Sequence, residues 1–117
     1  MKANGIIFKK TSDLILITDF YTKRLGFSVW LKQPGCTIFK KGNMLLGFCE
    51  REPAETDGMI TLFFEKREQV DKVYQEFKDI AIEPPSFNET YKIYQFFAKD
   101  PESRMLEFQW FETTPEL

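Results

Sequence analysis

Glu107 is the residue whose type and setting speak most directly of chemistry. It lies in Arg104-Met105-Leu106-Glu107-Phe108-Gln109-Trp110-Phe111, shortly after Asp100-Pro101. A carboxylate among large apolar side chains needs a partner, because an unpaired buried charge is costly. Two partners meet that need: a metal ion, or the polar group of an organic ligand. The chain has no histidine, so a metal site on Glu107 would lack its usual nitrogen ligands. No nucleophile–base pair accompanies it, and no catalytic residue is assigned. A desolvated carboxylate serving as general base is the one catalytic role open to it.

The totals narrow the setting. A chain of 117 residues makes a single domain with a respectable core. Phe alone contributes 13 residues, more than a small core needs, which leaves some to line a cavity. The net charge is −2, without a basic block, so the cationic stripe of a nucleic-acid binder is missing. Apolar runs are too short to span a membrane. Met1 to Gly5 leads into a strand without a signal peptide's apolar region, and a cytoplasmic location is expected. Cys36 and Cys49 do not form a CxxC pair and read as two reduced, half-buried thiols.

Two similar halves emerge along the chain. Residues 4–50 form a first module. Asn4 to Lys10 reads as a strand, and Ser12 or Asp13 as an N-cap. Leu14, Ile17, Tyr21 and Leu25 recur at helical spacing until Gly26 stops the helix. Strands follow at Phe27 to Lys32, Cys36 to Lys40 and Met44 to Glu50, separated by Pro34-Gly35 and Gly42-Asn43 turns. Residues 51–58 read as a polar, exposed linker. Residues 59–111 repeat the order: a strand from Met59 to Phe64, then a helix from Arg67 to Asp79 with Val70, Val73, Tyr74 and Phe77 on one stripe. A strand begins at Ile80 to Ile82 and is cut short by Pro84-Pro85. The last two strands are Ile93 to Ala98 and Arg104 to Phe111, joined by a turn at Asp100 to Ser103. Residues 112–117 are a frayed tail. Met44-Leu45-Leu46 and Met105-Leu106-Glu107 fall at equivalent places in the two halves.

Phe20-Tyr21-Thr22-Lys23-Arg24-Leu25-Gly26-Phe27, with Asp100-Pro101-Glu102-Ser103-Arg104-Met105-Leu106-Glu107-Phe108, resembles the vicinal oxygen chelate superfamily. That group includes glyoxalase I, fosfomycin-resistance enzymes, extradiol dioxygenases and bleomycin-resistance proteins. Ser103 stands where the family prefers glycine, and Asp79-Ile80 replaces the glycine that ends the second helix. The resemblance implies an α+β fold of two βαβββ modules forming a curved mixed-sheet cup, the glyoxalase/bleomycin-resistance fold. It also implies a metal held by the first and last strands of each module. Those positions count to Ile6, Leu46, Met59 and Glu107. Ile6 and Leu46 cannot ligate and Met59 is too soft for Mn, Ni, Zn or Fe(II) in such a site. Neither a metal nor another cofactor is expected.

With Glu107 pointing into such a cup, period-two alternation adds Met105 and Gln109 and places Leu106, Phe108 and Trp110 beneath the helix. The same reasoning puts Ile6, Phe8, Met44, Leu46, Phe48, Met59, Thr61 and Phe63 in the cup. Apolar walls with few polar groups suit a small-molecule pocket, and an apolar face equally suits plain core or a dimer contact. Glu107 either anchors a ligand or pairs with Arg104, Lys99 or Tyr94. Trp30 reads as a stacking platform or an interface residue, and Tyr94 as a hydroxyl donor to a ligand or a structural residue. The implied function is metal-free binding of a hydrophobic or cationic small molecule, antibiotics included, by a homodimer resembling the bleomycin-resistance members. Two alternatives stand beside it: a metal-dependent lyase, transferase or dioxygenase, and a non-catalytic structural or regulatory homodimer.

Overall fold

The computed structural model describes all 117 residues. Its elements run β1 (Ile7–Thr11), α1 (Leu14–Asp19), β2 (Ser28–Gln33), β3 (Cys36–Lys41), β4 (Met44–Glu50), β5 (Met59–Phe63), α2 (Arg67–Phe77), β6 (Ser86–Asn88), β7 (Ile93–Lys99) and β8 (Met105–Phe111). The chain divides into two compact units, Met1–Glu55 and Thr56–Leu117. Each holds one mixed sheet, in the orders β1-β4-β3-β2 and β5-β8-β7-β6. In each sheet the first strand runs parallel to the last, and the other pairs are antiparallel. A parallel pair needs a long crossover, and the helix of each module lies within it. The predicted βαβββ order is therefore present twice.

In the first unit Asp13 is the N-cap. Its Oδ1 accepts from the Leu16 N–H at 3.0 Å, and Glu50 Oε1 accepts from the Leu14 N–H at 2.9 Å. Two of the donors that a helix start leaves unpaired are thereby satisfied. Ile17, Tyr21 and Leu25 are buried, as their spacing predicts. The helix does not stay α-helical to Gly26: Phe20–Arg24 winds as a π-helical segment. Gly26 then takes φ +75°, and the Phe27 N–H reaches the Tyr21 carbonyl. The left-handed conformation suits glycine because a Cβ there would be strained. The Tyr21 ring packs 4.9 Å from Phe48 and 6.3 Å from Phe39.

Two readings of this unit are corrected. Cys36 and Cys49 are not free thiols; they form a disulfide with a Cα–Cα distance of 4.1 Å. They are direct partners on antiparallel β3 and β4. Trp30 sits at a register shift between Val29 and Leu31, so the alternation of β2 is broken there. A β-bulge re-aims the residues that follow it, and Val29, Trp30 and Leu31 are all exposed. The start of the linker is stitched to β1: the Arg51 N–H donates to the Thr11 carbonyl, while Lys10 and Glu55 exchange two hydrogen bonds.

In the second unit Val70 and Phe77 of α2 are buried. Phe108 stacks between Phe77 and Phe96, at centroid distances of 5.5 Å and 4.8 Å. Leu106 and Phe108 thus lie under the helix, as predicted. The second strand of this unit is displaced from its predicted place. Ala81 makes only an isolated bridge to Ala98, and β6 begins after Pro84-Pro85, at Ser86. Proline has no N–H for a ladder, so pairing resumes once both prolines are passed. In the turn before β8, Ser103 adopts φ 70°, the left-handed conformation for which glycine is best suited.

Candidate functional site on the second sheet

Glu107 is central to β8 and points away from α2. Its register partners, Thr61 on β5 and Phe97 on β7, share that face. Gln109 lies two residues along, opposite Phe63 and Gln95. Met59 pairs with Met105 at the other end. Glu107 is only 6% exposed and Gln109 only 8%, so neither is a solvated surface group. Thr61 Oγ1 donates to Glu107 Oε1 at 2.8 Å, and Gln109 Nε2 donates to the same oxygen at 3.2 Å. Glu107 does not pair with Arg104, Lys99 or Tyr94 through any of these contacts. Arg104 Nη1 instead meets Asp100 Oδ2 and Glu102 Oε1.

The polar accounts of this face do not close. Gln109 Oε1 and Gln95 Oε1 are both buried without a hydrogen-bond partner. A buried acceptor left unmade costs about 1–3 kcal/mol. Gln95 was not among the sequence candidates. Its signal was there: it lies on β7 at the same parity as Phe97, which the final hairpin sets opposite Glu107. Sequence reasoning followed β8 and never carried the pairing across to β7.

Beside Gln109, Phe63 and Phe111 stand 5.5 Å apart in an edge-on arrangement. With Phe64, Glu65 and the Thr114–Leu117 tail they line a cavity of about 380 Å³. That volume is within the usual range of small-molecule pockets.

Other predicted residues lie elsewhere. Leu46 and Phe48 face α1 in the core of the first unit: Leu46 pairs with Phe39, and Phe48 meets Tyr21. Met44 shares their parity. Phe8 pairs with Gly47, on the opposite face of that sheet. Tyr94 belongs to the α2 side of its own sheet, with its hydroxyl donating to Asp71 and Arg67 stacked 4.1 Å from its ring centroid. It therefore points away from the face that carries Glu107.

The physical reason for the first-unit misplacement is a one-residue slip between the modules. Leu46 and Phe48 are core residues like Leu106 and Phe108. Gly47, not Leu46, is thus the counterpart of Glu107. A one-residue shift turns a strand's side chains to the other face. The register partner of Gly47 on β1 is Phe8, two residues after Ile6, and the register partner of Glu107 on β5 is Thr61, two residues after Met59. Taken unit by unit, the register pair is Phe8 with Gly47 in the first and Thr61 with Glu107 in the second. A phenyl ring and a glycine supply no ligand, and the Thr61 hydroxyl is turned to Glu107. Neither pair by itself fits a catalytic divalent ion. No group of three or more histidine, cysteine or acidic residues is placed to hold a metal elsewhere.

A Cβ at Gly47 would come within 2.4 Å of the Phe8 ring, so the ring covers the place where the other module has its carboxylate. Gly47→Ala should lower stability by about 1 kcal/mol, the low end of overpacking costs, since Phe8 is half exposed and can give way. Urea unfolding of the single variants and the Phe8→Ala/Gly47→Ala pair checks this. The cost should shrink when Phe8 is removed.

Burial raises the Tyr94 phenol above its usual range, with the Asp71 hydrogen bond and charge adding to it. The folded state thus holds this proton more tightly than the unfolded state. Its contribution to stability is full below the ordinary phenol value of 10.0 and is lost as pH rises through the higher folded value. Wild type should therefore lose more stability than Tyr94→Phe above pH about 10, read by urea midpoints along a pH series.

No protein-family model and no curated protein matches the chain. Solved structures do. A glyoxalase/bleomycin resistance protein/dioxygenase from Nocardioides superposes with TM-score 0.78 at 17% identity, covering 100% of this chain and 89% of that one. An integron cassette protein from the mobile metagenome of the Halifax Harbour sewage outfall gives 0.81 at 16%, covering 95% and 100%. A lactoylglutathione lyase from Agrobacterium tumefaciens gives 0.77 at 20%, covering 94% of each chain. Likeness at such identities carries the fold and leaves the chemistry to the site. With its two βαβββ modules and their mixed sheets, this chain has the glyoxalase/bleomycin-resistance fold.

Proposed function

We propose that this protein binds a small organic molecule against the second sheet, beside Glu107, without a metal at that carboxylate. The observation that carries this reading is the pair of buried side chains Glu107 and Gln109, with half-buried Thr61 bonded to Glu107, on the face away from α2. Met59, Met105 and Phe63 supply apolar walls on the same face. A mostly apolar wall with a few placed polar groups is the usual composition of a ligand site. Metal-dependent lyase, transferase or dioxygenase chemistry finds no support in the Phe8–Gly47 pair of the first sheet or in the Thr61–Glu107 pair of the second. An antibiotic is one class of molecule that would suit the walls.

A homodimer belongs to the same proposal. Its support is edge strand β2, whose Val29, Trp30 and Leu31 are exposed. Sedimentation equilibrium of wild type and Trp30→Ser tests it, with a dimer expected only for the former.

A broad small-molecule library screened by thermal shift tests the binding reading. A true ligand at a hundred times its Kd should add about 2.7 kcal/mol. Its effect should shrink in Thr61→Val and Gln109→Leu. Hits that ignore both substitutions, or no hits at all, would sink the reading.

A further inference from the structure

We infer that the group received beside Glu107 is an organic cation bearing N–H donors, an ammonium or amidinium, held jointly by the carboxylate and the side-chain carbonyls of Gln95 and Gln109. The inference rests on the small-molecule reading above and specifies its ligand.

A donor and acceptor count carries it. The Thr61 hydroxyl and a Gln109 amide N–H are already given to Glu107 Oε1. The buried side-chain atoms left unmade on this face are both acceptors. Gln109 Oε1 and Gln95 Oε1 are buried and unpartnered, and their residues are direct register partners on β7 and β8. Glu107 adds a full negative charge one step along the same face. An anion would be repelled by the Glu107 carboxylate and would leave both buried carbonyl oxygens unmade. A ligand with several N–H donors would satisfy them together, and a charge on it would answer the carboxylate.

The surroundings agree. Phe63, Phe97 and Phe111 lie on the same face as Glu107, and aromatic faces attract cations. The approach runs along edge strand β5, where Met59 and Phe63 are about half exposed. A quaternary ammonium brings charge without donors and would leave both amide oxygens unmade. A bare divalent ion is also a poor match, because one carboxylate and two neutral amides fill too few of its positions.

The test is an NMR titration of the full chain with probes of matched size: benzylammonium, benzamidinium, benzyltrimethylammonium, benzyl alcohol and benzoate, with Mg²⁺ as a separate arm. Benzylammonium and benzamidinium should shift β5 and β8 resonances saturably, at least tenfold more tightly than the other probes. Glu107→Gln should weaken them at least tenfold, and Gln95→Leu several-fold, with circular dichroism reporting that each variant is folded. Gln95→Leu is the safeguard should Gln109→Leu fail to fold.

Equal binding of benzyl alcohol or benzoate at this face would overturn the cationic ligand while leaving a small-molecule site standing. So would library hits that lack N–H donors. Unchanged benzylammonium affinity in Gln95→Leu and Gln109→Leu would overturn the part given to the amides. Saturable Mg²⁺ binding lost in Glu107→Gln would replace the organic cation with an ion. Failure of every probe and of the library together would remove the binding reading itself.

Discussion

Arg104→Met is expected to lower the stability of the protein by about 3–5 kcal/mol, the range for breaking a buried ion pair by removing one partner. Arg104 is 1% exposed, and Asp100 is nearly as buried. Nη1 lies 2.8 Å from Glu102 Oε1 and 3.2 Å from Asp100 Oδ2. Asp100 Oδ1 meanwhile accepts from the backbone N–H groups of Glu102 and Arg104. The turn into β8 is therefore built around one carboxylate that both caps the backbone and neutralises the guanidinium. Methionine keeps most of the volume and strands the Asp100 charge out of water. Adding Asp100→Asn should recover part of the loss, because the amide can still accept through one oxygen and is uncharged. Urea unfolding of the two single variants and the double variant reads this as a coupling. A loss below about 1 kcal/mol in Arg104→Met would place the pair with surface salt bridges, whose contribution is small. The pair matters to the site because it fixes where β8, and with it Glu107, begins.

Phe108→Ala should cost about as much, roughly 3–5 kcal/mol for deleting a buried phenylalanine side chain. Phe108 is 1% exposed and lies nearly parallel to the Phe77 and Phe96 rings, at 18° to each. It stands between Glu107 and Gln109 in sequence and projects to the opposite face. Its removal would open a void directly beneath the strand that carries both polar residues. Phe108→Leu should cost less, since leucine refills part of the space, and it remains measurable if the alanine variant does not fold. Thermal and urea unfolding give both numbers. A difference between the two variants of less than about 1 kcal/mol would mean that α2 collapses onto the sheet and closes the void.

Element order, an N-cap at Ser12 or Asp13, the buried stripe of α1 and the parity of β8 were all legible in the sequence. Each depends on neighbours a few residues apart: a short polar side chain before a helical stripe, or alternation along one strand. What failed depended on register. The disulfide was within reach, because counting outward from a two-residue turn at Gly42-Asn43 brings Cys36 opposite Cys49. Reading the cysteines one at a time hid it. The bulge at Trp30 was not within reach, since no residue of β2 marks an extra position on one strand. Pro84-Pro85 was recognised as a breaker, yet the strand was placed on the wrong side of it.

The sequence by itself determined that Glu107 is a solitary carboxylate without histidine partners, and that its neighbours at i±2 share its face. Composition and strand periodicity suffice for that. Only the tertiary structure decided what stands across from it. Thr61 replaced Met59 as its partner, Gly47 under the Phe8 ring replaced Leu46 as its counterpart, and Gln95 joined Gln109 as an unmade acceptor. Each of these is a pairing between strands distant in the chain, where a shift of one residue turns a side chain to the other face. Local pattern fixes parity within a strand, and packing of the whole sheet fixes which residues meet.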